Sequence, residues 1–301
     1  MRQSVVQNVD ALRENETLIN MDLLGLVPST SRWVGQEFID IYFRDFHPAW
    51  PFLHRGTFKM PQEPCILLQS MVMMGLWIKG DKESRDAAMV FHRKLISAIE
   101  AQRSEWYVSE STLCPNNEMP WPMATYQSIL IHIVLALFVA EQETTLDLNC
   151  RYRLSAPAYE ILTALVETCR QLGLFNYPKM LSKHHPSAPL ALVWVSVEEI
   201  KRFGLALYKV CRLCARGVDS HTEKKAHRNG DFLKNELLTL ADLEFCMPDS
   251  DELWNAPPGQ QSAWIRGTAS QQRSRDNRDS KGWISHTSKQ LNDDRIAFDW
   301  I

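Results

Sequence analysis

Long apolar runs are scarce in this sequence. The longest, Ile129 to Ala140 (ILIHIVLALFVA), is interrupted by a histidine. It falls short of the roughly 20 residues that a membrane-crossing helix needs, so it predicts a buried core helix and no membrane partner. An excess of positive charge is missing as well. Lys and Arg number 33 against 36 Asp and Glu, a net charge of −3. A chain that holds nucleic acid by itself usually carries a basic face, and the balance here argues against direct DNA contact. No run alternates strictly between apolar and polar residues, and no Asn-Gly or Asp-Gly turn joins two apolar runs, which excludes a half-buried strand architecture. The N-terminal MRQSVVQNVDALRENETL is polar and lacks a small-residue cleavage site, so no secretory leader is expected. The seven cysteines are odd in number and sit mostly in apolar helical stretches. That pattern suits a reducing compartment better than a disulfide framework.

What remains is helical periodicity. The 301 residues are 45% hydrophobic, and a folded chain of that length buries roughly three quarters of its unfolded surface. Phe38, Tyr42 and Phe46 fall at four-residue steps on one helix face, which His47-Pro48 should end. PCILLQSMVMMGLWIKG is apolar nearly all round and predicts an internal helix closed by Gly80. Ala88, Phe91, Leu95 and Ile99 align on the next one, and a further helix should run from after MPWPM to about Gln142. Ser155 and Gly173 are placed to cap and close another. From Val193 to Cys214 the apolar or small positions step by four and three over about three heptads, a packing stripe for a bundle or a partner helix. FLKNELLTLADLEF restores helical spacing after a polar loop. The expected fold is all-α: a multi-helix bundle with short connections. A polar lead (1–30) precedes the domain (31–265), and a loose, polar, disordered tail (266–301) follows it.

Several motifs imitate chemistry. Cys211-x-x-Cys214 precedes His221 and His227, but six residues separate the pairs, where a two-cysteine two-histidine finger needs about twelve. Both cysteines also continue the stripe, so they read as small buried thiols and no metal ligand is assigned. Gly75 and Gly80 have phosphate-loop spacing, yet Asp81 stands where the lysine should be. Neither a Gly-x-Ser-x-Gly elbow nor a His-Glu-x-x-His motif occurs. Glu198 and Glu199 point about 100° apart on a helix. Glu198 is expected to pair with Lys201 and Arg202 on a solvated face. His132 reads as a satisfied core histidine, and His184 and His185 as exposed loop residues. No catalytic and no cofactor-binding residue is assigned.

One stretch resists that inventory. YFRDFHPAWPFLHRGTF, residues 42–58, gathers aromatic rings, prolines and the imidazoles of His47 and His54. Two readings compete. In one, the rings and histidines stiffen a joint between helices, since a buried imidazole needs only one backbone partner. In the other, a helical enzyme or a module binding an apolar small molecule has its site near Trp50. The joint reading is favoured. Its rival requires His47 or His54 in a cleft with a polar partner.

The same stretch resembles the opening of the fungal-specific transcription factor domain, also called the middle homology region. Its aromatic helix ends at proline, and Pro51-Phe52-Leu53-His54 and Phe58 follow. ETCRQLGLF, VWVSVEEIKRFGLALYKVCRLC and NELLTLADLEFCMPDSDELWNAP are similar to later pieces of that family, in the same order, over roughly residues 33–265. The resemblance implies an all-helical regulatory domain of a nuclear transcription factor. It implies DNA contact only through an attached or partnered zinc module, with zinc held there and no cofactor in this chain. It also implies a second copy or another transcription factor as partner, and a small-molecule effector. LYKVCRLC and the Trp-rich close look more like the branch linked to two-cysteine two-histidine fingers. Neither zinc module is visible in the sequence, and the polar tail stands where the family carries further helices. Control of a metabolic gene cluster is the expected setting.

Overall fold

The computed structural model describes residues 31–108, 121–142, 146, 151–216, 236–256 and 280–291. The polar lead 1–30, the loop holding His221 and His227, and most of the tail lie outside these residues. The first described element is α1 (Ser31–Ile41), which widens into a π-helical turn at Tyr42–Phe46, closed by the His47 N–H on the Tyr42 carbonyl at 2.9 Å. Then come α2 (Cys65–Lys79), α3 (Lys82–Ala101), the short α4 (Arg103–Trp106) and α5 (Met123–Gln142). After β1 (Tyr152–Leu154) follow α6 (Ala156–Leu172), α7 (Tyr177–Ser182), α8 (Leu190–Leu213) and β2 (Cys214–Arg216). The last described helices are α9 (Asp251–Trp254) and α10 (Ile284–Leu291).

The fold is predominantly α-helical. The internal helix is α2, which packs on α1, α3 and α5 and buries Leu67, Met71, Met73, Met74 and Trp77. Gly75 sets its distance from α1, because a Cβ there would stand 2.2 Å from the Phe38 carbonyl oxygen. Gly80 and Gly173 end α2 and α6 at φ of 86° and 71°, conformations that cost glycine nothing. Asp81 caps α3, accepting from the Ser84 N–H at 2.9 Å. Ser155 occupies the N-cap of α6, but its hydroxyl makes no capping bond.

Helix α5 is longer than its apolar core suggests. Its 20 residues are long and apolar enough to cross a membrane, but 67% of the apolar window is buried inside the chain. Residues 126–135 on this helix are all buried, with Gln127 and His132 among them.

The structure departs from the periodicity in three places. β1 and β2 pair in parallel, Tyr152 with Cys214 and Leu154 with Arg216. Three residues per strand are too few to show an alternation, and Cys214 ends α8 rather than continuing it. The expected helix over FLKNELLTLADLEF is, among its described residues, only a 3-10 turn at Leu240–Asp242. Asp242 caps that turn and bonds Arg170 at 2.9 Å, and the chain then extends with Leu243 and Phe245 buried on either side of exposed Glu244. Part of the expected tail is α10. Its Ile284 is buried, and the N–H groups of Ile284 and Ser285 bond the Phe245 and Leu243 carbonyls at 2.9 Å.

Candidate functional site

The joint at 42–58 is built from rings. Phe46 stacks on Trp50 with centroids 6.2 Å apart, and Phe43 meets Phe58 edge-on at 5.0 Å. Trp50, Pro51, Phe52 and Leu53 are all buried, which returns the chain to the core after two helix-breaking prolines. The Lys209 ammonium of α8 lies 4.6 Å from the Trp50 ring centroid. His47 is 4% exposed, and its Nε2 bonds the Leu53 carbonyl at 2.6 Å, tying the two ends of the joint together. His54 Nδ1 lies 3.0 Å from the Thr57 hydroxyl. Burial lowers both imidazoles to about 4, so both are neutral near pH 7.

Helix α8 meets this joint with a carboxylate. The His54 backbone N–H donates to Glu199 Oε1 at 2.7 Å. Burial pushes the Glu199 carboxyl up to about 7, against the pull of that hydrogen bond. The Tyr42 hydroxyl, fully buried, is raised first by burial and then by the Glu199 charge.

One turn of the same helix carries an ion group where a solvated face was expected. The face is enclosed rather than solvated: Glu198, Lys201 and Arg202 are 1%, 0% and 1% exposed. The pairing itself forms, with Lys201 Nζ 3.4 Å from Glu198 Oε1 and Arg202 Nε 3.9 Å from Glu198 Oε2. The reason is that residues 246–256, absent from any helical-wheel argument, lie across that face. The Asp249 N–H donates to Glu198 Oε2 at 2.8 Å. Arg202 donates to Asp251 Oδ1 at 2.6 Å and to the Asp249 carbonyl at 2.7 Å. Trp194 Nε1 donates to Asp249 Oδ2 at 2.7 Å. Burial raises Glu198, and Lys201 opposes the shift.

The closing segment 249–255 therefore acts as a clasp, and Trp254 is its anchor. Its ring lies 4.6 Å from that of His54 and 6.1 Å from that of Trp194, with the Arg202 guanidinium 4.6 Å from its centroid. Trp194, Val195, Leu253 and Trp254 form a small core separate from the main one. Joint, long helix and clasp meet at this point.

A half-open cleft of about 400 Å³ lies where joint and clasp come together, lined by Phe43, Pro48, Pro51 and Arg55 with Asp251 and Asn255. His47 borders it, so the imidazole is both a cross-tie and part of a hollow wall. Its Nε2 is already engaged by Leu53, and His54 is not among the lining residues.

The other candidates from the sequence are apart from this site. His132 is a core histidine, its Nε2 3.3 Å from Ser70 Oγ and its Nδ1 2.9 Å from His92 Nδ1. Cys211 and Cys214 are buried; burial pushes the Cys211 thiol up to about 12 and raises Cys214 as well. A protonated, enclosed thiol is a poor nucleophile and a poor ligand. Among the described residues, no three His, Cys, Asp or Glu side chains are grouped to hold a metal ion. His185 is exposed and His184 partly so. The clasp residues Asp249, Asp251 and Trp254 were not singled out by spacing. Their signal was indirect: four charged residues, Glu198, Glu199, Lys201 and Arg202, set among buried Val197, Ile200 and Phe203 demand partners from elsewhere.

The model of the family described as the fungal specific transcription factor domain matches residues 39–209, from the end of α1 to near the end of α8. Over 90 residues the chain is 36% identical to the zinc finger protein klf1 of Schizosaccharomyces pombe, covering 30% of this chain and 10% of that protein. Over 190 residues it is 26% identical to the zinc finger protein zas1 of the same organism, covering 60% of this chain and 18% of that protein. The chain thus spans less than a fifth of the length of either relative. No solved structure matches it.

Proposed function

This chain belongs to the fungal specific transcription factor domain family, and on that premise we propose that it is the regulatory and interaction part of a nuclear fungal transcription regulator. The observation that carries the reading is the family match across the joint and α8, the two elements that the clasp locks together. In this reading DNA is contacted through an attached or partnered zinc module of the kind that the names of both relatives declare. The net charge of −3 supports leaving DNA contact to such a module. A second copy of the chain or another transcription factor is the proposed protein partner. The stripe from Val193 to Cys211 is buried within this chain, so that partner would meet another surface.

The family implies a protein that is not an enzyme, and the two imidazoles of the joint support this. Both are held by neighbours, His47 Nε2 by the Leu53 carbonyl and His54 Nδ1 by the Thr57 hydroxyl. A small-molecule effector is the second proposal, favoured by the cleft between joint and clasp, whose size falls within the range of roughly 300–1,000 Å³ for ligand sites. A ligand there would touch both elements and shift the balance between clasped and unclasped states.

The test has two arms. The purified chain at moderate salt should retain no DNA sequence-specifically, and a specific complex with this chain alone would sink the proposed division of labour. Tethered to an unrelated DNA-binding module in a fungal cell, it should change transcription of a reporter carrying that module's site. A folded, expressed fusion that leaves the reporter unchanged would overturn the regulatory reading.

A further inference from the structure

We propose that the cleft between joint and clasp binds a small monocarboxylic acid with a flat apolar body and a hydroxyl or amine at its far end, and that the bound acid holds the clasp to the joint. The inference rests on the effector reading of that cleft and names the chemical class its lining selects. Charge selects first. Arg44 is committed to Asp45, which it grips at 2.9 and 2.7 Å, and Asp251 gives Oδ1 to Arg202 at 2.6 Å. Among the described residues Arg55 forms no ion pair, and its guanidinium lies 5.6 Å from the Phe43 ring centroid. The lining thus keeps one positive charge without a counter-ion, held over an aromatic face. A carboxylate fits it, because its two oxygens match the planar guanidinium fork.

Shape and acceptors narrow the class. Phe43, Pro48 and Pro51 supply apolar walls in a space of about 400 Å³, enough for a compact ring. The clasp contributes acceptors. Asn255 Nδ2 donates to the Asp251 carbonyl at 2.9 Å, which leaves its Oδ1 to accept. Asp251 keeps its second carboxylate oxygen. His47 adds another acceptor: Nε2 carries the proton it gives the Leu53 carbonyl, so Nδ1 holds a lone pair. A hydroxyl or amine on the ligand satisfies such groups, whereas a second carboxylate would meet Asp251 with like charge. Arg55 disfavours a simple cation in the same way. Solvent is the competing effect to weigh. Arg55 is exposed, and an exposed ion pair alone contributes little. Affinity therefore needs the body on the walls together with the charge. Arg55 belongs to the joint, and Asp251 and Asn255 to the clasp, so a ligand touching all three favours the clasped state.

Isothermal titration of the full chain with para-hydroxyphenylpropionate tests this. Para-ethylphenol is the probe without the carboxylate, and acetate the probe without the body. The expected result is saturable binding of the acid, at least about tenfold tighter than that of para-ethylphenol, with no competition from acetate at equal concentration. Arg55→Met should abolish the preference for the acid and leave para-ethylphenol binding unchanged, which a misfolded variant could not do. At a free acid concentration of about ten times Kd, amide hydrogen exchange at Trp254 and Asn255 should slow roughly tenfold. Equal affinity for acid and phenol, or an acid affinity that R55M leaves intact, overturns the carboxylate class without touching the effector reading. Failure of the acid to bind at millimolar concentration overturns the site, and displacement by acetate reduces it to a surface anion contact. Binding with unchanged exchange overturns the hold on the clasp. The transcriptional reading is tested separately, by the tethered reporter, and survives each of these results.

Discussion

Replacing Arg202 by methionine distinguishes a buried ion group from a solvated one. The change keeps an unbranched stem but removes the guanidinium that meets Glu198, Asp251, the Asp249 carbonyl and the Trp254 ring. Glu198, 1% exposed, would be left with Lys201 at 3.4 Å and the Asp249 N–H. Breaking a buried pair by deleting one partner costs about 3–5 kcal/mol, because the other charge stays behind. The bond to Asp251, whose side chain is 51% exposed, adds under about 1 kcal/mol. Loss of the ring contact adds about 1 kcal/mol. If the group were a solvated helix face, as its three- and four-residue spacing alone implies, the loss would be about 0.3–0.5 kcal/mol. Urea unfolding followed by tryptophan fluorescence and helical circular dichroism separates the two. The expected loss for R202M is about 4–7 kcal/mol, and a value under about 1 kcal/mol would refute the burial argument. The triple variant E198M/K201M/R202M should recover most of the stability, since apolar replacement of a whole buried ion group is often neutral or better.

Gly75→Ala normally gains about 1 kcal/mol in a helix, but here the added carbon would stand 2.2 Å from the Phe38 carbonyl oxygen. The sign should therefore reverse, to a loss of about 1–3 kcal/mol read as a lower melting temperature; an unchanged or higher one would contradict the close approach of α1 and α2. Ser70→Ala strips the buried His132 of its partner at Nε2 and should cost about 1–3 kcal/mol in the same unfolding assay. A loss of a few tenths would show that the bond carries little. Stability should also fall with acid. His47, His54 and His92 are held near 4 and burial lowers His132 as well, against about 6.5 when unfolded, so between these values the unfolded chain binds more protons. Glu199, held near 7, works the other way between about 4.5 and 7, because the folded chain keeps a proton that the unfolded chain releases. Glu198, also raised by burial, acts the same way as Glu199; the four histidines outnumber the two carboxyls, leaving a net uptake of protons on unfolding near pH 5.5. The urea midpoint should drop from pH 7 to pH 5.5, and a rise or a flat profile would contradict the buried, neutral imidazoles.

Helical periodicity made much of the fold legible, and for a physical reason. A helix buried on one face or all round writes its packing into three- and four-residue spacing. So α2, α3, α5, α6 and α8 were visible as segments, and Gly80 and Gly173 as their ends. The joint was legible too, because prolines at 48 and 51 among rings exclude a continuous helix. What stayed hidden depends on contacts distant in sequence. Nothing near Glu198 announces that residues 249–254 will cover it, so three- and four-residue pairing looked like a surface device. β1 and β2 are too short to carry a pattern. Leu243, Phe245 and Ile284 take their places through backbone bonds between segments about forty residues apart, which no window of periodicity sees. The cleft was out of reach for the same reason, since Asp251 and Asn255 join Phe43, Pro48 and Pro51 only in the fold.

The claim that the joint is structural can be measured at its histidines. A proton–nitrogen NMR titration of the full chain follows the two imidazoles through pH directly. With His47 tied to Leu53 and His54 set against Thr57 and Trp254, both should remain neutral down to pH 5.5 and titrate only near 4. Imidazoles that protonate near 6.5, as solvent-exposed rings do, would place them in open water and leave the joint without its cross-ties.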